Sequence, residues 1–195
     1  MDAFEAILTR RSTRRFSERM PEREKIEQIV EAGRAAPSGG NNQSTHMIII
    51  SNPEVLKKLA EIVQEEFSKM ELLPDMYSSL KNSINASRKG NYVFYYNAPV
   101  LIITANRKGY GNALADSACV LENMMIAANA IDLGSCWINQ LHWLDENMAV
   151  REYLSAHGLK ENETITGGLA LGFAEGGLPF RNSLPRTGNP VTWIQ

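Results

Sequence analysis

The chain has 195 residues, 44% of them apolar, with 20 Lys+Arg against 22 Asp+Glu and a formal charge of −2. That length suits a single domain over 1–195, and the apolar share is too high for a disordered chain. The balanced charge gives no global pull toward nucleic acid or acidic membrane, so neither is expected as a partner.

In chain order, residues 2–9 predict a short helix leading into an arginine-rich stretch. From Glu22 to Ala36, Ile26, Ile29, Val30 and Gly33 recur at helical spacing, with Pro21 as a starter and Pro37 as a stop. "HMIIIS" (46–51) predicts a buried strand. Pro53 opens an amphipathic helix carrying Val55, Leu56, Leu59, Ile62, Val63 and Phe67 on one side. The segment 74–97 predicts a loop with short helical pieces. "PVLIITA" (99–105) predicts a second strand. Residues 113–131 predict a long helix, apolar nearly all round and therefore buried on several sides. "GSCWI" (134–138) is a third strand. Asp145 is a candidate cap for a helix reaching Ala156 and ended by Gly158. "ETITGGLALGF" (163–173) is a fourth strand. Residues 174–195 are rich in Pro and Gly yet end in "VTWI", which suggests an arm that docks on something, such as a second subunit. Irregular alternation of strands and helices points to the α+β class.

Most familiar chemistry-bearing motifs are missing. The sequence contains no G-x-G-x-x-G, no G-x-x-x-x-G-K-[ST], no H-E-x-x-H and no G-x-S-x-G. The histidines, His46, His142 and His157, are scattered and read as structural. Cys119 and Cys136 match no metal or redox spacing and read as reduced core residues of a cytoplasmic protein. The N-terminus is too short and too acidic for a secretory signal, and the longest apolar run, 98–103, is far short of a membrane span.

The concentrated feature is "TRRSTRRFS" (9–17), four arginines and four hydroxyls in nine residues. A solvated turn, a nucleic-acid patch and a discrete phosphate site are the three readings. Nucleic-acid binding spreads phosphate contacts along a surface, and no other basic stripe is present. A phosphate monoester needs only a few charge-assisted hydrogen bonds, which Arg forks and Ser hydroxyls supply. If the stretch is extended, Arg10, Ser12 and Arg14 share one side. Two further clusters stand out. "PSGGNNQ" (37–43) offers small residues and amides that let backbone approach a flat ligand, though Gly and Asn also make plain turns. "GSCWINQ" (134–140) ends a strand in Asn-Gln beside a tryptophan, and a core Trp at a strand end gives the same pattern.

Together and in this order, these pieces resemble the nitroreductase family of flavin enzymes. "RRSTRRF" (10–16) is similar to that family's "RRSxRxF" motif, and "APSGGNNQ" (36–43) to its "APS…N.QPW" loop. "LENMMIAANAIDLGSCWI" (121–138) resembles its core helix running into "GLGSCW". "LALGF" (169–173), followed by an arm with "PR" and a late Trp, resembles its C-terminal part.

The resemblance implies a central, mostly antiparallel sheet flanked by helices, in a homodimer with exchanged C-terminal arms. It implies FMN held at the dimer interface, NAD(P)H as reductant, and a small-molecule electron acceptor such as a nitroaromatic or quinone, reduced by a ping-pong mechanism. Arg10 and Ser12 would hold the flavin phosphate with help from Arg11. Arg186 would reach it from the arm, with Arg181 the weaker candidate for that role. Arg14 would sit at the N1/C2=O edge of the ring. Pro37, Ser38 and Asn41 would pack on the ring from the other subunit. Trp137, Ile138, Asn139 and Gln140 would lie along it, and Asn91 is a weaker candidate. No catalytic side chain is implied, since the chemistry is on the flavin, and no metal. Gln43-Ser44-Thr45 departs from the family's "QPW", which bears on the substrate pocket. Specialised flavin enzymes of the same architecture, dehalogenating or flavin-fragmenting, are alternatives, as is a non-catalytic module for a phosphorylated ligand or nucleic acid.

Overall fold

The computed structural model describes residues 1–178 and 185–195. Its elements run α1 (Ala3–Thr9), α2 (Arg23–Arg34), a 3-10 turn (Gly39–Asn41), β1 (His46–Ile50), α3 (Pro53–Lys69), α4 (Ser78–Lys89), β2 (Val100–Arg107), α5 (Ala113–Ala130), β3 (Gly134–Ile138), α6 (Gln140–Trp143), α7 (Met148–Ser155) and β4 (Glu163–Gly172). The four strands form one open sheet in the order β1-β2-β4-β3, and every neighbouring pair is antiparallel. This is the expected α+β architecture with an antiparallel sheet between helices.

The helices start where local chemistry allows. Asp2 caps α1 by accepting from the Glu5 backbone N–H at 3.0 Å. Asn52 caps α3, accepting from Glu54 and Val55, and Pro53 sits in the first turn where its missing N–H costs nothing. The apolar side of α3 buries Leu56, Leu59, Val63 and Phe67. With Ile84 of α4, Val150 and Leu154 of α7 and the inward side chains Leu101 and Ile103, they cover one face of the sheet. Ile29 of α2 and Leu121 and Met124 of α5 cover the other, against Val100, Ile102, Leu169 and Leu171.

Three expectations need correction. The segment 74–97 holds α4, a twelve-residue helix. Its inward side is built from Ser83, Ile84 and Ser87, so the face that packs is mostly small hydroxyls and leaves little hydrophobic periodicity. Asp145 does not cap α7. Asn147 does, accepting from Val150 N–H at 3.1 Å. The Asp145 carboxylate instead accepts from Ile165 N–H at 2.7 Å, from the Thr164 hydroxyl at 2.5 Å and from Arg151 at 3.1 Å, tying α6–α7 to β4. Cys119 is exposed, while Cys136 is buried. Its chain neighbours are apolar, but the helical period turns Cys119, with Leu114, to the open side of α5. In a single chain this helix is therefore buried on fewer sides than its composition predicts.

No helix among the described residues is long and apolar enough to cross a membrane. The three histidines all make structural contacts: His46 with Glu163 at 3.0 Å, His142 with the Ile165 carbonyl at 2.7 Å, His157 with the Tyr153 carbonyl at 2.8 Å.

Candidate functional site

The arginine stretch is extended, and the sheet holds it. Thr13 N–H donates to the Ser135 carbonyl at 2.8 Å, and Ser12 forms a parallel bridge with Ser135 beside β3. Further on, Ser17 N–H donates to Phe173 and Glu175 N–H donates to Arg15. Extended backbone alternates its side chains, so Thr13 is buried while Ser12 and Arg14 stay exposed. Gly134 makes this approach possible, because a Cβ there would stand 2.6 Å from the Thr13 hydroxyl oxygen. Upstream, α1 is pinned to α5 by Asn129, whose amide donates to the Ala6 carbonyl and the Thr9 hydroxyl. That fixes the point where Arg10 leaves the helix.

The arginines differ in their occupations. Arg11 donates to the Leu8 and Arg10 carbonyls, closing the C-terminus of α1 where free carbonyls attract a cation. Arg10 lies 3.8 Å from Glu122, a loose pairing at the surface. Arg14 has no carboxylate partner among the described residues, which leaves its guanidinium open to an external anion.

One cavity, about 280 Å³, collects Ser12, Arg14, Cys136, Trp137, Asn139 and Gln140 from the predicted clusters. Ile138 is also at this strand end, but its side chain is buried in the core, so only its main chain can serve the cavity. The Trp137 indole N–H donates to the Asn139 side chain at 2.7 Å. Gln140 donates to the Tyr92 hydroxyl at 3.0 Å, and Tyr92 bonds Ser83 at 2.9 Å. Burial pushes the Tyr92 phenol up, against the opposing hydrogen bonds from Ser83 and Gln140, so it stays neutral near pH 7. Burial likewise pushes the Cys136 thiol up, outweighing the pull of Arg14, the Ser12 hydrogen bond and Arg10. This favours the protonated thiol at the buried Cys136, as in a wall residue.

The second predicted cluster lies elsewhere in the chain. Pro37 and Ser38 line a separate cavity of about 180 Å³ with Gln43, Thr45, Met47 and Asp116. Asn41 stands in the adjoining 3-10 turn. Within one chain, then, the two groups are not brought together. Arg186 is exposed in 185–195 and makes no hydrogen bond or ion pair to Arg10, Ser12 or Arg14 among the described residues. Arg181 lies outside the described residues. Among the described residues no group of three His, Cys, Asp or Glu could hold a metal ion.

The family model described as the nitroreductase family matches residues 7–173, which takes in both clusters and the whole sheet. The chain belongs to the nitroreductase family. A protein of Archaeoglobus fulgidus with the provisional name NADH dehydrogenase/NAD(P)H nitroreductase is 30% identical over 176 residues, covering 88% of this chain and 85% of its own. An Escherichia coli K12 protein provisionally named an NAD(P)H nitroreductase is 30% identical over 179 residues, covering 88% of each chain. The crystal structure of a nitroreductase with bound FMN from Bacteroides fragilis is 31% identical, covers 100% of both chains and superposes with a TM-score of 0.87.

Several wall residues of the first cavity were not singled out from sequence. Tyr77, Ser79, Tyr96 and Trp143 complete the first cavity. Tyr77 and Trp143 meet edge to face at 6.1 Å between centroids. The sequence signal for Tyr96 and Trp143 was the aromatic density of "NYVFYY" (91–96) and "QLHW" (140–143), which reads equally as core, and Tyr77 and Ser79 lie in neither stretch.

Proposed function

We propose that the chain is an FMN-dependent oxidoreductase passing reducing equivalents from NAD(P)H to a small acceptor, a nitroaromatic, a quinone or a similar molecule, by a ping-pong scheme. The carrying observation is the convergence of Ser12 and Arg14 with Trp137, Asn139 and Gln140 in one cavity. The donor set fits the cofactor, combining guanidinium and hydroxyl groups for a phosphate with amides and a strand end for a flat polar ring.

When bound, FMN supplies the chemistry itself, accepting hydride from NAD(P)H and delivering electrons to the acceptor. The chain's own residues bind and orient. Arg10 and Ser12 grip the phosphate, with Arg186 reaching it from the arm. Arg11 contributes by closing α1, so that Arg10 departs in a fixed direction. Arg14 offers a cation to the ring edge that becomes negative on reduction, which stabilises that charge. The main chain of 137–140 would lie along the ring, and the Tyr92–Gln140 bond holds the Gln140 amide in one orientation.

We further infer a homodimer in which Pro37, Ser38 and Asn41 complete the partner's site. Their separation from the arginine cavity within one chain supports this. So do the unpartnered apolar side chains Phe4 (79% exposed) on α1, Leu114 on α5, and Trp193 (83% exposed) and Ile194 in the arm. Such exposure is expected of an interface surface seen from one side.

The test is a visible spectrum of the purified protein titrated with FMN, followed by anaerobic NADPH or NADH. Uptake of FMN, bleaching by the nucleotide and parallel double-reciprocal lines with an acceptor are expected. An Arg10→Ala/Arg14→Ala variant that takes up FMN as well as the wild type would refute the assignment.

A further inference from the structure

Resting on the flavin reading above, we propose that Asp116 and Tyr110 are positioning residues that lock the Ser38–Gln43 turn into a donor-presenting shape against the ring.

Asp116 is 4% exposed and has no cationic partner among the described residues. A buried carboxylate without a cation persists only if hydrogen bonds satisfy it. Here Oδ1 accepts from the Gly39 backbone N–H at 2.9 Å and Oδ2 faces the Tyr110 hydroxyl at 3.0 Å. The tyrosine has one proton to give. Its other oxygen neighbour, the Gly39 carbonyl, is neutral and farther away at 3.2 Å, so the proton goes to the carboxylate. The hydroxyl oxygen then accepts from the Asn42 amide at 3.2 Å, and the same amide donates to the Gly39 carbonyl at 2.6 Å. Gly39 is thus clamped from both its N–H and its C=O side. A Cβ on it would stand 2.1 Å from the Asn112 amide nitrogen and 2.8 Å from the Tyr110 hydroxyl, so a side chain at 39 would have to displace Asn112 and the clamping Tyr110 hydroxyl.

The turn needs holding. Gly40, Asn41 and Gln43 all have positive φ, at 59°, 53° and 49°, and two of these residues carry side chains that disfavour it. The conformation has a consequence for binding. The Ser38 hydroxyl oxygen accepts from Gln43 N–H at 2.9 Å, and the Asn41 side-chain oxygen accepts from the Gln43 amide at 2.9 Å. Both acceptors are therefore used within the turn. The Ser38 O–H and the Asn41 NH2 have no acceptor among the described residues and remain available as donors, which suits acceptor atoms on a ring edge, such as the carbonyl oxygens of a flavin. Without the clamp on Gly39 the turn loses its register, and this donor polarity goes with it.

The experiment has two readouts on the full-length chain, for Asp116→Ala, Asp116→Asn, Tyr110→Phe and, as a control on the same helix, Asn123→Ala. Asn123 donates to the Ala32 carbonyl and has no part in the turn. In the flavin-free protein, amide hydrogen exchange over residues 38–43 should accelerate on the order of 10-fold or more in Asp116→Ala and Tyr110→Phe, and not in Asn123→Ala. Asp116→Asn should restore most of the protection, since it keeps an acceptor for Gly39 N–H while Tyr110 turns its proton to the Gly39 carbonyl. In the FMN titration, the same two variants should bind roughly 10-fold more weakly and shift the bound-flavin spectrum, with Asp116→Asn near wild type. Unchanged exchange in Tyr110→Phe overturns the clamp even if Asp116→Ala does not fold. Faster exchange with unaltered flavin affinity and spectrum overturns the link to the ring. A wild-type protein that takes up no FMN overturns the flavin reading, and the turn's assigned ligand with it, whatever the exchange data show.

Discussion

Gly134→Ala is the sharpest probe of how the fold delivers the arginine strand. A methyl at 134 would lie 2.6 Å from Thr13 Oγ1, 2.8 Å from Cγ2 and 2.9 Å from Cβ. Ordinary contact begins near 3.4 Å, so the strand must retreat by about 0.8 Å (3.4 − 2.6) or Thr13 must leave its buried site. Rotating the side chain does not help, because Cβ itself is too close. The retreat also stretches the 2.8 Å bond from Thr13 N–H to the Ser135 carbonyl. Overpacking of this kind costs about 1–3 kcal/mol. Ser12 and Arg14 flank Thr13, so they move with it, and losing one charge-assisted bond to phosphate costs about 1.5–3 kcal/mol, roughly 10- to 150-fold in Kd. FMN titration by fluorescence quenching, with melting temperature alongside, checks both quantities. Thr13→Gly in the Gly134→Ala background removes all three offending atoms and should recover much of the lost affinity. Wild-type FMN affinity in Gly134→Ala, or no recovery in the double variant, would refute the reasoning.

Ser87→Ala should raise stability by about 1 kcal/mol, since the Ser87 hydroxyl is buried without a hydrogen-bond partner among the described residues and alanine is the better helix former; urea unfolding measures it. Tyr92→Phe should leave the fold intact and weaken or slow the flavin step by roughly 5- to 10-fold, because the Gln140 amide loses the acceptor that orients it at 3.0 Å; stopped-flow flavin reduction reads this out. Glu163 is buried, which pushes its carboxyl up, yet the His46 hydrogen bond, the Lys160 backbone N–H and the two nearby positive charges bring it below 4.5 overall. A carboxyl depressed in the folded state contributes stability that is present above the unfolded value and lost as pH falls through the folded one. Glu163→Gln should therefore flatten the acid limb of the stability–pH curve below about pH 4.5, and an unchanged limb would count against the His46–Glu163 contact.

Part of the candidate site was legible in the residues themselves. Arg10, Ser12 and Arg14 were placed on one side by the two-residue period of extended backbone, and the structure shows Thr13 buried between exposed neighbours. The α4 helix was not legible, because Ser83 and Ser87 fill the positions where leucines would have marked a buried face. Tyr77 and Trp143 join the cavity from segments 66 positions apart, and no local pattern announces such a meeting. Asp116 gave the opposite problem, since a lone acid in an apolar helix reads as a surface residue until its partners, Gly39 and Tyr110, are seen.

The sequence by itself determined the strands, most helices and the order of the motifs, since period, capping and turn chemistry act between residues a few positions apart. Only the tertiary structure decided which side chains share a cavity. It placed Arg14 with Trp137 and Gln140, kept Pro37 and Ser38 apart from them, and turned Asp145 and Asp116 inward as fasteners. Those choices depend on how the layers pack and which buried polar groups find partners, and packing is a property of distant segments that no local window contains.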